Sequence, residues 1–377
     1  MNVPLAEMAK ARMDESPTGL GMAIPAEEPW EFGEFVICRI ESEDGVVGWS
    51  EVFVWLPETA VSAGQVVSSV RDSLARYVIG ASPFDTRAIA ARMNRNVARN
   101  EVAKGLLDMA CYDLAAKAIG RPAYDLLGGK CVDAIPLCAL IPLGPVDQTV
   151  TLAKFFVNSG SKTIRLKLGT GVSLDREVVA AVRDAVGDEI RIRVDYNQAY
   201  RPHEAIRAIK GIEEFGIDAA EQPVAIGDLA GLVTVQRNVG TPVFTHEGLF
   251  SLTDLVAQSE LGAIGVVGLN TERPGGLTSA MAAIDYAALR GMGVILHNQP
   301  LGLASAAMVH LGAARYFDLG HDVEIFGKLM WESDLLADGL VYSNGCVEVP
   351  SGTGWGVEID LDALDKYSVA EPVRIGR

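Results

Sequence analysis

The first third of the chain combines two hydrophobic patterns. The stretch EFVICRIESEDGVVGWSEVF is rich in aromatic and β-branched residues on both sides of Asp44-Gly45, a dipeptide typical of tight hairpin turns, and it predicts two antiparallel strands. The later stretch EVAKGLLDMACYDLAAKAIG places Leu107, Cys111 and Leu114 at steps of four and three residues, which predicts a helix. We therefore expect residues 1–125 to form a mixed α+β domain.

From about residue 126 the pattern changes to short β-rich runs that alternate with helical ones. The runs are AIPLCAL, TIRLKLG, IRIRVDYN, IDAAEQP, TPVFTHE, IGVVGLN and GVILHN. Strands that alternate with helices form parallel sheets through right-handed crossovers, and seven or more such units favour a closed (β/α) barrel over an open sheet. We expect an α/β fold with this barrel at 126–340. Residues 341–377 are then a Gly- and Pro-rich segment that packs back on the N-terminal domain.

The composition narrows the range of partners. The chain has 377 residues and a formal net charge of −17, which repels phosphate backbones and anionic lipid, so we expect neither nucleic acid nor a membrane as partner. We see no apolar run long enough to cross a bilayer and no N-terminal signal segment. The five scattered cysteines lack C-x-x-C spacing and predict free thiols in a reducing, cytoplasmic compartment.

Polar side chains recur at the ends of the predicted barrel strands. They follow one another at intervals of 28, 26, 26, 23, 27 and 27 residues, and they are Lys167, Asp195, Glu221, Glu247, Asn270, His297 and Glu324. Each interval is about one βα unit, so we expect these side chains on the C-terminal rim, where active sites of such barrels form. Arg165 precedes Lys167 by two residues and points the same way on a strand, and Asn197 follows Asp195.

Three of these residues predict a metal site. Asp195, Glu221 and Glu247 converge from adjacent strands, and three carboxylates in one mouth repel each other unless a cation joins them. Oxygen ligands without cysteine or a histidine pair suit a hard ion, so we expect one Mg²⁺ per subunit, with Mn²⁺ as its substitute. The alternative for each acid taken singly is that it caps the N-terminus of the next helix.

Two further residues are candidates for proton transfer. A small-molecule substrate whose carboxylate binds the metal would lie between Lys167 and His297, which approach from opposite sides of the mouth. Both could then reach the carbon next to the carboxylate. The alternatives are a barrel-interior lysine paired with an acid and a purely structural histidine.

This set of residues resembles the enolase superfamily, in its mandelate racemase-like subgroup. Beyond the rim residues, EDGVVGWSE, GLLDMACYDLAAKAIGRPAYDLLGGK, ERPGGLTSA and VPSGTGWGVEID resemble segments of that family. The resemblance implies an α+β capping domain, completed by the C-terminal segment, over a (β/α)₇β barrel. It also implies Mg²⁺-dependent removal of the α-proton of a carboxylate substrate to give an enediolate. We further expect a homo-oligomer.

The resemblance assigns roles to the rim residues, with two departures. It makes Lys167 a base and His297 a base or acid, and it makes Glu324 a hydrogen-bonding partner of the substrate carboxylate. Arg165 stands where the family usually has the first lysine of Lys-x-Lys, and Arg cannot act as a base near neutral pH. Asn270 stands where an aspartate usually pairs with the histidine, although an amide oxygen can still orient the imidazole.

These departures favour unequal roles for the two proton-transfer residues. We therefore expect dehydration of a hydroxy acid such as a sugar acid, and the alternative is a racemase, epimerase or cycloisomerase. A non-catalytic relative that keeps the barrel as a scaffold and another metal-dependent barrel lyase, such as an aldolase, are the rivals from other classes.

Three smaller features complete the expectations. The family's first strand normally precedes Val3 to Leu5, so we expect either a capping sheet trimmed at this end or loss of that strand. Large apolar side chains in the cap loops indicate a monocarboxylate substrate with apolar character, and they are Met22, Ile24, Trp30, Phe32, Phe53 and Trp55. The alternative is that these side chains only pack against their neighbours. His246 either lines the site or packs behind it.

Overall fold

The computed structural model describes residues 1–6, 31–298 and 300–376. Its strands are β1 Asn2–Pro4, β2 Phe32–Glu41, β3 Val47–Val54, β4 Ala134–Pro136, β5 Cys138–Ile141, β6 Thr163–Lys167, β7 Arg191–Asp195, β8 Ile217–Glu221, β9 Val243–Thr245, β10 Val266–Leu269, β11 Gly293–Asn298, β12 Glu324–Ile325, β13 Tyr342–Ser343 and β14 Cys346–Glu348.

The α-helices follow in the same order. They are α1 Leu56–Thr59, α2 Ala63–Ser69, α3 Thr86–Asn96, α4 Glu101–Ala118, α5 Val146–Asn158, α6 Val172–Val186, α7 Pro202–Lys210, α8 Leu229–Asn238, α9 Leu252–Glu260, α10 Leu277–Leu289, α11 Gly302–Ala314, α12 Tyr316–Leu319, α13 Gly327–Met330 and α14 Leu361–Tyr367. Short π and 3₁₀ turns lie at Val70–Leu74, Ala75–Tyr77, Ala123–Leu127 and Glu213–Phe215.

The N-terminal sheet has the order β1-β2-β3 and is antiparallel throughout. The predicted hairpin is present, and Gly45 adopts a φ of 80° in its turn, which a side chain would disfavour. The first strand of the capping sheet is short but not lost, because β1 pairs with β2 along Asn2–Pro4. Three residues suffice here because Val3 is fully buried in a cluster with Phe35 and Trp331.

Helix α4 joins the N-terminal sheet to the barrel. Sequence periodicity indicates a single apolar stripe on this helix, yet every residue from Val102 to Ala116 is buried. One face packs on β2 and β3, and another contacts α10 of the barrel. A helix that is covered on all sides loses the polar face on which amphipathic patterns depend.

The parallel sheet has the order β12-β11-β10-β9-β8-β7-β6-β5, and seven helical connections separate its eight strands. A parallel bridge between Leu137 and Val323 joins its two edges, and the Cys138 N–H donates to the Val323 carbonyl at 2.9 Å. The predicted (β/α)₇β barrel is therefore confirmed. Its inner cluster consists of Ala219, Phe244, Val266 and Ile295.

The C-terminal segment returns to both parts of the molecule. Strand β14 pairs with β4 beside the barrel. The indole Nε1–H of Trp355 donates to the Trp49 carbonyl of the hairpin at 2.8 Å. The domain limits 1–125, 126–340 and 341–377 stay predictions, because the contacts of this segment span all three parts.

The structure bears on the expected apolar side chains of the cap loops, on the cysteines and on membrane-spanning helices. Met22, Ile24 and Trp30 of the expected apolar substrate pocket lie outside the described residues, while Phe53 is buried in the N-terminal sheet. All five cysteines are free thiols. Within the described ranges, no helix combines the length and the apolar character needed to cross a bilayer.

We expect Gly105→Ala to destabilise the protein by about 1–3 kcal/mol, although alanine is the better helix former. A Cβ at Gly105 would lie 2.7 Å from the Glu272 carbonyl and 2.9 Å from the Gly276 nitrogen, which are backbone atoms that hold α4 against the barrel. The matched control is Gly64→Ala, in the exposed first turn of α2, which should raise stability by up to about 1 kcal/mol. Urea unfolding midpoints compare the two, and equal shifts would contradict close packing at Gly105.

Candidate active site

The predicted rim residues meet at the carboxyl ends of the barrel strands. Lys167 is paired in register with Asp195, which is in turn paired with Glu221 on the next strand. On the other side of the barrel, His297 is paired with Glu324. All of these side chains are buried. The spacing along the sequence therefore translates into a shared layer at one end of the barrel.

Arg165 lies at the centre of the acidic residues. Its guanidinium donates to Asp195, lies 3.0 Å from Glu221 Oε2 and donates to Glu324 Oε2 at 2.6 Å. One buried guanidinium thus neutralises only part of the negative charge of the three carboxylates around it. Although burial alone raises it, Arg165 and Lys167 together hold the pKa of Asp195 below its usual value.

Lys167 and Asn197 connect two of the predicted metal ligands. Lys167 Nζ donates to Asp195 Oδ2 and to Asn197 Oδ1, each at 2.6 Å. The Asn197 amide then donates to Glu247 Oε1 at 2.5 Å. Asn197, two residues after β7, and Gln222, directly after β8, have φ angles of 41° and 36°. Such left-handed backbone in residues other than glycine is costly, and it concentrates at functional sites.

Two histidines face each other across the mouth. The rings of His246 and His297 lie 4.1 Å apart, and Phe326 contacts His297 at a centroid distance of 5.5 Å. Burial, followed by the charges of Arg165 and Lys167, lowers the pKa of His297 well below its usual value. Among the described residues, neither ring nitrogen of His297 has a hydrogen-bond partner. This ring is therefore neutral and has a nitrogen free to accept a proton.

Asn270 does not orient His297, and this sequence expectation is wrong. The Asn270 amide lies 3.3 Å from His246 Nε2 instead, and its Oδ1 accepts from the Arg273 backbone N–H at 2.7 Å. The order of the strands explains the difference. Strand β10, which precedes Asn270, also neighbours β9, and His246 directly follows β9.

His246 lines the site, which answers the question that the sequence left open. Residues two apart on a strand share a face. Phe244 belongs to the inner cluster, so His246 points to the same side as Glu221, which follows Ala219 by two residues. The alternation of sides along β9 could have predicted that His246 faces the barrel interior. Glu247, one residue later, does not follow this alternation.

Sequence reasoning missed three other charged residues. Arg193 precedes Asp195 by two residues and lies 2.7 Å from Glu324 Oε1, so period-two alternation could have found it. Glu58 reaches the mouth from the short helix α1 that follows β3, and Arg273 lies 3.6 Å from its carboxylate. No sequence pattern places Glu58 there, because that contact depends on how the N-terminal domain sits on the barrel.

The balance of charged side chains in the mouth favours binding of a cation. Four buried carboxylates around the mouth accompany three cations, and these residues are Asp195, Glu221, Glu247, Glu324, Arg165, Lys167 and Arg193. Burial raises the pKa of Glu221 well above its usual value against the opposing effect of Arg165, and burial with Asp195 raises the pKa of Glu247 to about 8. Both Glu221 oxygens and Glu247 Oε2 lack hydrogen-bond partners in the described part of the chain. Unpartnered buried oxygens beside excess negative charge fit a divalent cation.

The helix-capping alternative does not account for these acids. Helix α8 is capped by Asp228, whose side chain accepts from the Gly231 N–H, and α9 is capped by Ser251. Asp195 instead accepts from the Asn197 N–H at 2.9 Å, outside any helix.

A second combination of donor residues also lies in the mouth. Within the described ranges, one set of three side chains has ligand atoms that all lie within 4.8 Å of one another, and its members are Glu221, His246 and His297. Asp195 and Glu247 are not members of this set. The assignment of those three as metal ligands stays a prediction.

Family models match both parts of the chain. Residues 22–128 match the model described as mandelate racemase/muconate lactonizing enzyme, N-terminal domain, and residues 148–363 match the model described as enolase C-terminal domain-like. The second match alone covers more than half of the chain.

Curated relatives and solved structures agree with these models. An L-Ala-D/L-Glu epimerase of Clostridium acetobutylicum is 30% identical over 86% of this chain and 90% of its own length. A chloromuconate cycloisomerase of Cupriavidus pinatubonensis is 29% identical over 91% of this chain and 93% of its own length. The L-Ala-D/L-Glu epimerase of Bacillus subtilis, solved as a substrate-liganded complex, superposes with a TM-score of 0.83 at 25% identity, over 95% and 96% of the two chains.

Proposed function

Because the chain belongs to the mandelate racemase/muconate lactonizing enzyme family of the enolase superfamily and is an enzyme, we propose that it epimerises a carboxylate substrate by α-proton transfer. The relatives are an epimerase and a cycloisomerase, and dehydration of a hydroxy acid receives no support from them. Of the two activities weighed on the sequence, isomerisation is therefore the better founded.

The observation that carries the proposal is the position of two proton-transfer groups on opposite sides of one mouth. Lys167 ends β6 and His297 lies near the end of β11, three strands apart in one direction around the barrel and five in the other. Inversion at a carbon needs a base on one face and an acid on the other. A substrate between these side chains meets both requirements.

The two groups also differ in their hydrogen bonding. Lys167 donates to two oxygens, as an ammonium group does, and can deliver a proton. His297 offers free ring nitrogens that can accept one. In one direction His297 removes the α-proton and Lys167 protonates the opposite face, and in the reverse direction the roles exchange.

Charged residues in the mouth support binding of a carboxylate. Arg165 can grip carboxylate oxygens but cannot exchange protons near neutral pH, so its role is recognition. Glu324, buried against Arg165 and Arg193, holds both guanidiniums in position. We therefore assign Glu324 to support of Arg165, and Asn197 to support of Lys167.

The residues fit Mg²⁺, and Asp195, Glu221 and Glu247 are its proposed ligands. When bound, the ion supplies positive charge that stabilises the developing enediolate. Mg²⁺ and a monocarboxylate together would balance the excess negative charge of the inward side chains. A dianionic substrate would leave the mouth negative again, so a single carboxylate near the metal suits this site.

A second activity, cycloisomerisation, is favoured by the chloromuconate cycloisomerase relative. That reaction needs only one proton-transfer group, whereas the mouth holds two. The two activities can be distinguished by experiment, because only the epimerase would exchange the α-proton of an amino-acid residue with solvent.

We expect the wild-type enzyme with Mg²⁺ in D₂O to exchange the α-proton of a dipeptide such as L-Ala-L-Glu and to form the epimer, followed by ¹H NMR. Glu221→Gln should abolish both the exchange and the rise in Tm on adding Mg²⁺, which corresponds to about 2.7 kcal/mol at 100 times the Kd. Glu214→Gln, at an exposed acid, is the matched control and should retain both. Turnover of muconate without exchange of any dipeptide in a panel would favour the cycloisomerase instead, and no turnover of either class would refute both.

A further inference from the structure

Two donors converge on one nitrogen of His246. Arg273 Nη2 lies 3.2 Å from His246 Nε2, and Asn270 Nδ2 lies 3.3 Å from the same atom. A guanidinium has no acceptor, so Nε2 must offer its lone pair to Arg273. The ring is then neither an imidazolium nor the tautomer that carries its proton on Nε2.

The orientation of the Asn270 amide is also determined by Arg273. Asn270 Oδ1 accepts from the Arg273 backbone N–H at 2.7 Å, which turns Nδ2 toward the histidine. Exchanging the amide oxygen and nitrogen would place a donor against a donor at Arg273. Side chain and backbone of one residue thus impose the same tautomer on His246.

The proton of His246 is therefore on Nδ1, which faces the mouth. His246 is 3% exposed, and Nδ1 has no hydrogen-bond partner among the residues that the structure describes. It lies 3.7 Å from Glu221 Oε1, beyond hydrogen-bond distance. A buried N–H without an acceptor destabilises the folded protein, and an oxygen of a bound molecule would satisfy it.

The same tautomer argues against His246 as a metal ligand. Glu221, His246 and His297 cluster closely enough to hold a transition metal ion. A ring nitrogen that carries a proton has no lone pair for a metal, and moving this proton to Nε2 would direct it at Arg273. His246 is therefore better suited to the substrate than to the ion.

We propose that His246 is a fixed Nδ1–H donor to an oxygen of the substrate carboxylate, and that Arg273 is the positioning residue that sets its tautomer. The inference deepens the proposed function and rests on it for the identity of the acceptor. The hydrogen bond from this N–H to a carboxylate oxygen strengthens as negative charge develops on that oxygen. The donor therefore stabilises the enediolate more than the ground state.

Arg273 is itself held rigidly. Its Nη1 donates to the Glu58 carbonyl at 2.9 Å and to the Glu247 carbonyl at 3.3 Å, and its guanidinium lies 5.3 Å from the centre of the Phe250 ring. A guanidinium anchored to the N-terminal domain and to the β9 loop keeps its donor on His246 whether or not substrate is bound.

The tautomer is tested by ¹⁵N NMR of the histidine rings in the intact enzyme. The chain has five histidines, and loss of one resonance pair in His246→Asn assigns His246. We expect a protonated Nδ1 and an unprotonated Nε2, unchanged by Mg²⁺ or Zn²⁺. Arg273→Met should yield a mixture of tautomers, whereas Arg237→Met, at an exposed arginine, should not. A proton on Nε2 in the wild type, or a metal-induced shift at Nδ1, would overturn the inference.

The donor role is tested by kinetics on the dipeptide that the wild type turns over. His246→Leu should lower kcat by about 10²-fold with a smaller change in KM, as for loss of one donor to a developing oxyanion. His246→Asn, whose amide can replace Nδ1–H, should recover more of kcat than His246→Gln, whose amide lies near the Nε2 position. Wild-type kcat in His246→Leu overturns the donor role. If the wild type turns over nothing, the proposed function and the acceptor assignment fail together, and the NMR result still decides the tautomer.

Discussion

Lys167→Ala is expected to lower kcat/KM for epimerisation by about 10²–10⁴-fold, the range for loss of a positioned general acid or base. Lys167 Nζ is held at 2.6 Å from Asp195 and from Asn197, so the group is fixed in direction as well as in distance from the mouth. In the part of the chain that the structure describes, no other lysine belongs to the charged group around the mouth, and Arg165 cannot take over proton exchange.

The two-sided arrangement makes this prediction more specific. Lys167→Ala keeps His297, so it should still exchange the α-proton of one epimer with D₂O while it fails to exchange that of the other. His297→Asn should show the opposite preference. Chirally resolved ¹H NMR of each epimer measures both rates.

The control for Lys167 lies directly before the same strand. Lys162 is exposed and immediately precedes β6, at the end of the barrel far from the mouth, and Lys162→Ala should retain wild-type rates. Equal loss of exchange for both epimers in Lys167→Ala would contradict separate roles for the two faces. Full activity in that variant would remove Lys167 from the mechanism.

Asp113→Ala should destabilise the protein by about 3–5 kcal/mol. Asp113 Oδ2 accepts from the Trp49 N–H and from Lys117 Nζ, each at 2.7 Å, and Oδ1 accepts from the Trp355 N–H at 2.9 Å. The carboxylate thus joins the hairpin, helix α4 and the C-terminal segment. Its removal leaves two backbone donors and one ammonium group without the acceptor that this buried carboxylate provides.

Urea unfolding followed by tryptophan fluorescence measures this loss, because Trp49 and Trp355 flank the carboxylate. Asp133→Ala is the control: its side chain is 91% exposed and bonded to Lys130, and exposed ion pairs contribute at most about 1 kcal/mol. Asp113→Asn, which keeps the shape and one oxygen, should lie between the two and remains measurable if the alanine variant does not fold. Equal midpoints for Asp113→Ala and Asp133→Ala would show that the C-terminal segment is held by other contacts.

Much of the site could be predicted because a barrel repeats one unit. A strand, a helix and two short loops take a nearly constant number of residues, so side chains at that interval return to the same rim. Lys167, Asp195 and Glu221 are in direct register for this reason. The interval of 23 residues before Asn270 is the shortest, and it is at Asn270 that the expected partner was wrong.

The alternation of side-chain direction along each strand could also have been used to predict which residues face the barrel interior. Ala219, Phe244 and Ile295 form the inner cluster, and the residue two positions after each is Glu221, His246 or His297. Reading β9 with this alternation favours His246 over Glu247 as the inward residue. The interval between strands indicates the level along the barrel axis, whereas only the alternation indicates the side.

The sequence by itself determined the class of fold, the rim on which the chemistry lies and most of the charged residues there, because periodicity and strand spacing are local properties of the chain. Tertiary structure alone decided which neighbours those residues have. Arg165 lies among three carboxylates, Arg273 directs the His246 proton, and Glu58 arrives from a separate domain. Such contacts depend on side-chain direction and on the docking of distant segments, which a one-dimensional pattern does not encode.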